Sequence, residues 1–146
     1  MSGSRAWILR RRVLPQHTDH AGVMWHGAYV AWLEEGRIEA LAAAGLGYDQ
    51  LSEMGLELPV VGLSIDYRRA LVHGELVELR SQLEPRRGLR WPWRSWFLAQ
   101  DGAVAAEARV ELVLLDLSAG ATRRRVVRRV PEILATALDA LERGPN

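Results

Sequence analysis

No cysteine occurs among the 146 residues, which excludes a disulfide framework, a thiolate metal site and a cysteine nucleophile. Also missing is any apolar run approaching the ~18 residues that a membrane span requires. From Met1 to Val13 charges are spread throughout, with no apolar centre of a signal sequence. Together these features predict a cytoplasmic protein with no membrane partner. Strong net charge is lacking too: 19 basic against 18 acidic residues leave a formal +1. The chain as a whole is therefore no electrostatic binder of nucleic acid. There is no internal repeat, linker or low-complexity stretch. What remains is ordinary globular composition, 49% hydrophobic and 25% charged, at the length of a single domain over 1–146. One sheet around one helix makes a modest core, which association with further copies would help.

Periodicity then divides the chain. Ala6 to Leu14 reads as a strand, and Pro15 to Gly27 as a polar loop without helical or alternating period. From Ala28 to about Ala44 good helix formers run to a closing Gly45. Apolar residues occupy most of this helix's circumference, as in a largely buried helix, with Glu35 and Glu39 marking a narrow solvent side. Glu34 falls on another flank, within i+3 reach of Arg37. After a short helical turn at Tyr48 to Gly55 the period becomes two: Val61 to Arg68, Val77 to Glu84, Trp91 to Phe97, and Val104 to Leu114. Asp101-Gly102 is a hairpin signal, and Ser118-Ala119-Gly120 leads into a basic strand, Thr122 to Val127. Pro131 starts a C-terminal helix whose apolar face holds Ile133, Leu134, Leu138 and Leu141. Short connections imply antiparallel pairing. The expected fold is α+β: an antiparallel sheet of about five strands curled around one long helix, plus a short C-terminal helix.

The loop His17-Thr18-Asp19-His20-Ala21-Gly22-Val23-Met24-Trp25-His26-Gly27 places a carboxylate, a turn glycine and an imidazole just ahead of the long helix. The first amides of a helix are unpaired and carry the positive end of its dipole. A thioester carbonyl held there would be polarised, and negative charge developing on its oxygen stabilised. Asp19 can then act as nucleophile or as general base on water, and sequence leaves both routes open.

This segment, with Asp19, His20-Ala21, Gly22, Val23-Met24, Trp25, His26 and Tyr29 in order, resembles the signature of the 4-hydroxybenzoyl-CoA thioesterase and YbgC-like branch of the hotdog superfamily. The resemblance continues through Trp32-Leu33-Glu34 and Arg37, Ile65-Asp66-Tyr67-Arg68, and Val113 to Leu117. It implies a hotdog fold and a homodimer or homotetramer hydrolysing acyl-CoA without metal or organic cofactor. It puts Asp19 at the catalytic aspartate and His26 at the residue whose backbone N–H meets the thioester oxygen. It also puts Glu34 where the hydroxybenzoyl branch faces its aromatic acyl group. His17 departs from the pattern, which often has an Asp there.

Other readings compete residue by residue. A loop aspartate such as Asp19 is most often a turn residue. A helix-leading histidine such as His26 can simply satisfy hydrogen bonds. His17, Asp19, His20 and His26 match no closed zinc spacing, so no metal is expected. Trp32 is expected in the core, whereas Trp25 and Tyr29, beside the loop and Gly22, are the better pocket candidates. The basic turn with Arg86, Arg87 and Arg90 is the preferred CoA phosphate site, through forked hydrogen bonds. Arg123 to Arg125 with Arg128 and Arg129 form a second basic cluster. Pro92, between Trp91 and Trp93, is out of place in a strand interior. Against an acyl-CoA thioesterase acting on an aromatic or short acyl group stands a catalytically silent acyl-CoA-binding module on the same scaffold.

Overall fold

The computed structural model describes residues 5–118 and 125–145. Its elements run β1 (Trp7–Arg12), α1 (His26–Ala43), α2 (Tyr48–Glu53), β2 (Leu56–Glu57), β3 (Val60–Tyr67), β4 (Leu76–Leu83), β5 (Trp91–Leu98), β6 (Val104–Leu112), β7 (Leu115–Asp116), β8 (Arg125–Val126) and α3 (Glu132–Arg143). Five strands form one antiparallel sheet in the order β1-β4-β5-β6-β3, and β2-β7-β8 form a small second sheet. The α+β class, the five-stranded sheet, the long helix and the short C-terminal helix are as the sequence implied. Residues 119–124, which include the start of the expected final strand and Arg123 and Arg124, lie outside the described residues.

One face of the sheet carries Val77, Leu79, Leu83, Trp91, Trp93, Phe97, Ala106, Ala108 and Val110, all buried. Against it α1 lays Ala28, Tyr29, Trp32, Leu33, Gly36, Ala40 and Leu41. The same face buries Ser81 and Ser95, which satisfy each other at 2.7 Å, as buried hydroxyls must. α3 closes one end with Leu134, Ala137, Leu138 and Leu141. It is pinned at its last turn, where Trp7 Nε1 donates to Leu141 O (2.9 Å) and Arg5 Nε to Glu142 O (3.2 Å).

Several expectations are corrected. α1 begins at His26, two residues earlier than propensity suggested, with Trp25 extended before it. Gly27 is a poor helix former, but a Cβ there would collide with the Trp25 indole folded over it. The open side of α1 is wider than Glu35 and Glu39 alone: Val30, Ala31 and Glu34 are exposed too. Glu35 turns to β1, where it pairs with Arg11. On α3, Ile133 is 56% exposed rather than on the apolar face.

The strand β3 is the largest departure. It precedes β4 in sequence but pairs only with β6, at the opposite edge. The connection from Arg68 to Glu75 is too long for a tight turn and crosses the end of the sheet. Alternation along β3 suggested one buried face, yet Val60, Val61, Leu63 and Tyr67 are all exposed, 42–52% each. Pro92 sits in a central strand but at its beginning. The β4–β5 ladder ends at Leu83–Trp93, and the carbonyl of Pro92 accepts the last hydrogen bond, from Glu84 N (2.8 Å). Its missing N–H therefore falls where pairing with β4 has ended.

Candidate active site

The loop ahead of α1 is a miniature hairpin. Thr18 and Met24 bridge as antiparallel partners, Asp19 N–H donates to Val23 O (2.9 Å), and Gly22 N–H donates to Asp19 O (3.0 Å). The turn needs a positive φ, and Gly22 supplies it at +79°. The sequence segment after β3 holds the hairpin from outside: Met24 N–H donates to Leu71 O (2.8 Å), His73 N–H to Gly22 O (3.0 Å), and Val23 bridges Val72. Nothing in the sequence flags this clamp, because the contact joins residues some fifty positions apart.

Within the hairpin Asp19 performs the turn role anticipated for a loop aspartate. Its Oδ1 accepts from Ala21 N (2.9 Å) and Val23 N (3.2 Å). Its Oδ2 has no partner among the described residues, and the side chain is exposed. One oxygen is thus anchored while the other is open to a reacting atom. The turn and catalytic readings are not exclusive here.

His17, the residue that departs from the family pattern, is structural. Its Nδ1 accepts from Leu14 N (3.0 Å), its carbonyl accepts from Trp25 N (3.0 Å), and its ring meets Trp32 edge-on at 5.2 Å. That places Trp32 in the core, and among the described residues no three potential ligands converge as a metal site.

At the helix start, His26 N–H and Gly27 N–H have no acceptor among the described residues, whereas Ala28 N–H is already bonded to Trp25 O. These two amides point out at the positive end of an 18-residue helix. The His26 imidazole is exposed and packs edge-on against the Trp25 indole at 5.1 Å. Trp25 is itself 46% exposed. Tyr29, one turn in, is buried between Tyr67 (5.0 Å) and Phe97 (4.9 Å). Burial first, then repulsion from Tyr67 and Glu75, pushes its phenol up to about 12.

Glu34 lies two turns further along, exposed, on the rim of a cavity of about 260 Å³. Leu41, Leu51, Leu83, Trp91, Trp93 and Leu141, all buried, wall this cavity. Its charged members are Glu34, Arg37 and Glu57. Arg37 makes no hydrogen bond or ion pair with any described residue, Glu34 included. Burial lowers its pKa and the nearby Glu34 charge only partly opposes this. The i+3 pairing that spacing suggested is therefore not made. The cavity itself, assembled from α1, α2, α3 and five strands, was not foreseen.

The basic turn divides its arginines. Arg86 stacks over Trp91 at 4.6 Å and donates to Arg128 O (3.1 Å), with its Nε buried and unpartnered. Arg90 is engaged by Glu111 at 2.7 Å. Arg87 is exposed at the tip, where its backbone pairs with that of Arg90. The structure does not bring these three guanidinium groups to the Asp19 loop, which contacts Leu71, Val72 and His73 instead.

Comparison with known proteins bears on the family and the fold. Residues 13–141 match the family model described as the thioesterase-like superfamily. The chain is 33% identical over 124 residues to the Synechocystis protein named "Putative esterase sll0410", covering 84% of this chain and 72% of the relative. It is 24% identical over 105 residues to the acyl-CoA thioester hydrolase YbgC of Escherichia coli O6:H1, covering 72% and 78%. Among solved structures, a 1,4-dihydroxy-2-naphthoyl-CoA thioesterase from Synechocystis superposes with a TM-score of 0.81 at 20% identity, over 94% of this chain and 98% of that one. This shared architecture is the hotdog fold.

Proposed function

The chain belongs to the thioesterase-like superfamily, and from that premise we propose that it hydrolyses acyl-CoA thioesters to the free acid and CoA. The observation that carries this reading is the pairing, on one short loop, of a half-anchored carboxylate with two unpaired helix amides. His26 N–H and Gly27 N–H receive the thioester oxygen, and the helix dipole stabilises the charge it acquires. The free Oδ2 of Asp19 attacks the carbonyl carbon to form a mixed anhydride, which water then hydrolyses to the free acid and the restored carboxylate. Alternatively, it removes a proton from a water that attacks the carbonyl directly. In either route the sulfur leaves as CoA thiolate, and no metal or organic cofactor is needed. Trp25, exposed beside those amides, covers the thioester, and Gly22 keeps the turn that aims Asp19.

The acyl group occupies the cavity rimmed by Glu34, whose aromatic and aliphatic walls suit an aromatic or short acyl chain. Outside, CoA phosphates are met by the basic turn. Arg87, with no side-chain partner among the described residues, is the most available of Arg86, Arg87 and Arg90.

The working unit is a homodimer or a tetramer built from it. A free edge with apolar side chains exposed on it, such as β3, invites pairing with another strand. Antiparallel pairing of β3 with its copy sets the Val60 end of one strand beside the Tyr67 end of the other. Tyr67 packs on Tyr29, one turn into α1 from the catalytic amides. Each cavity, bordered by Val60, then opens towards the partner subunit's catalytic loop.

The test is thioester hydrolysis over aromatic and aliphatic acyl-CoAs, with wild type beside Asp19→Asn. The amide oxygen of Asn preserves the turn, so the substitution isolates the chemistry. A loss in kcat of about 10²-fold or more is expected, the usual scale for removing a positioned base. Equal rates would remove Asp19 from the mechanism. No turnover by wild type on any substrate would favour the silent acyl-CoA-binding module.

A further inference from the structure

We propose that Glu75 is a positioning residue for Asp19: its carboxylate shapes the turn that clamps the Asp19 hairpin, and so aims the oxygen that reacts. This rests on the thioesterase reading and adds to it a residue outside the loop.

The segment 68–75 ends in the turn Val72-His73-Gly74-Glu75, where Glu75 N–H donates to Val72 O (3.2 Å). Glu75 engages the other backbone group of Val72 as well, because its Oε2 accepts from Val72 N–H (2.8 Å). A hydrogen bond to an ionised acceptor is about twice as strong as a neutral one. Both polar groups of Val72 are thus held by one residue. The turn is also tied to the chain just past β1: Gly74 N–H donates to Val13 O (2.8 Å) and Val13 N–H to Glu75 O (2.9 Å). Glu75 therefore stands where the turn meets the sheet, half-buried.

Val72 is the middle of the clamp. On either side of it, Leu71 O accepts from Met24 N–H (2.8 Å) and His73 N–H donates to Gly22 O (3.0 Å), while Val72 itself bridges Val23. The opposite edge of Val23 carries Asp19. There Val23 N–H donates to Asp19 Oδ1 (3.2 Å), and Val23 O accepts from Asp19 N–H (2.9 Å). Orientation passes from Glu75 through Val72 and Val23 to the carboxylate. The Tyr29 phenol, one turn into α1, feels the charge of Glu75 too, so Glu75 is also within electrostatic reach of the helix start.

The bond contributes more to shape than to stability. Val72 is exposed, so without Glu75 its N–H would turn to water and no donor would be left buried. What would be lost is a single conformation of the turn. Leu71 O and His73 N–H would then meet the hairpin over a wider range of orientations, and Asp19 would share that range. A neighbouring bond supplies the contrast. Gln100 Oε1 accepts from Leu76 N–H (2.9 Å), one residue further on, but that bond holds the start of β4 and not the clamp.

The experiment measures kcat and KM for benzoyl-CoA and hexanoyl-CoA, with thermal unfolding beside them. The proteins are wild type, Glu75→Met, Glu75→Gln, Gln100→Ala, Asp19→Asn and the double variant Glu75→Met/Asp19→Asn. Glu75→Met keeps the length of the side chain and removes the acceptor, so kcat should fall about tenfold or more, the scale of a small misplacement, with KM little changed. Glu75→Gln, whose amide oxygen accepts the same bond, should keep most of kcat. Gln100→Ala should lower the unfolding midpoint about as much as Glu75→Met and leave kcat intact. In the Asp19→Asn background Glu75→Met should cost little further, because both act through one carboxylate. An unchanged kcat in Glu75→Met beside a full loss in Asp19→Asn overturns this assignment alone. So do losses that multiply in the double variant, an equal loss of kcat in Gln100→Ala, or a Glu75→Gln protein as slow as Glu75→Met. Should Glu75→Met fail to fold, Glu75→Asp, which draws the carboxylate back by one methylene, takes its place in each comparison. Equal rates in wild type and Asp19→Asn, or no hydrolysis of either thioester by wild type, would overturn the thioesterase reading of the loop and this assignment with it.

Discussion

Each oxygen of Asp19 has a separate duty: Oδ1 holds the turn through two amides, and Oδ2 faces outward. This division explains how an exposed loop residue achieves a fixed orientation without a buried partner. Tyr29 is the contrasting case, a polar group drawn into the core between two rings. Its phenol is raised from 10.0 to about 12 by burial, then by Tyr67 and Glu75. In the unfolded chain it ionises near its ordinary value, so unfolding becomes favoured as pH climbs above about 10. The stability its neutral form preserves is fully present below that pH and is lost as pH rises towards 12. Two units correspond to about 2–3 kcal/mol. The sequence contains no lysine and only three tyrosines, so few other groups titrate in this window. Urea unfolding between pH 9 and 12 should show this decline in wild type and a shallower one in Tyr29→Phe. Parallel slopes would contradict the assignment.

At the scale of elements, the proposed catalytic loop depends on two supports of different visibility. One is local: Gly22 at φ +79° closes the hairpin. A Cβ at Gly22 meets nothing within 4 Å, so Gly22→Ala tests backbone conformation and not packing. A left-handed alanine costs about 1–2 kcal/mol. Thermal unfolding should register that loss, and kcat should fall because Asp19 is re-aimed. A full loss of stability with unchanged kcat would separate the turn from catalysis. The other support is the clamp from Leu71, Val72 and His73. It was invisible in the sequence because backbone contacts of this kind leave no side-chain pattern. The motif residues were legible for the opposite reason: a turn glycine, a carboxylate and a helix start are specified by neighbours.

For the whole molecule, the exposed strand β3 decides the outcome. Val60, Val61 and Leu63 on a free edge are a liability unless another strand covers them. Sizing by light scattering should therefore report a dimer or tetramer for wild type. Leu63→Lys, which sets a charge against its own copy near the middle of β3, should shift the population to monomer and reduce hydrolysis together with it. A wild-type monomer with full activity would refute the two-subunit site.

The sequence by itself determined the class of fold and the place of the Asp19 turn ahead of the long helix. Each of these follows from local spacing: period two, helical runs, a turn glycine, and a signature read over adjacent positions. Tertiary structure alone decided that β3 lies at the far edge beside β6, because alternation reports which residues share a face and not which strand they meet. It alone turned Arg37 from a partner of Glu34 into an unpaired cation in a cavity. Helical spacing limits which residues are near one another, but the direction a side chain takes depends on what packs around it. Here Leu41, Leu51, Trp91, Trp93 and Leu141, from four different elements, make the space into which Arg37 is set.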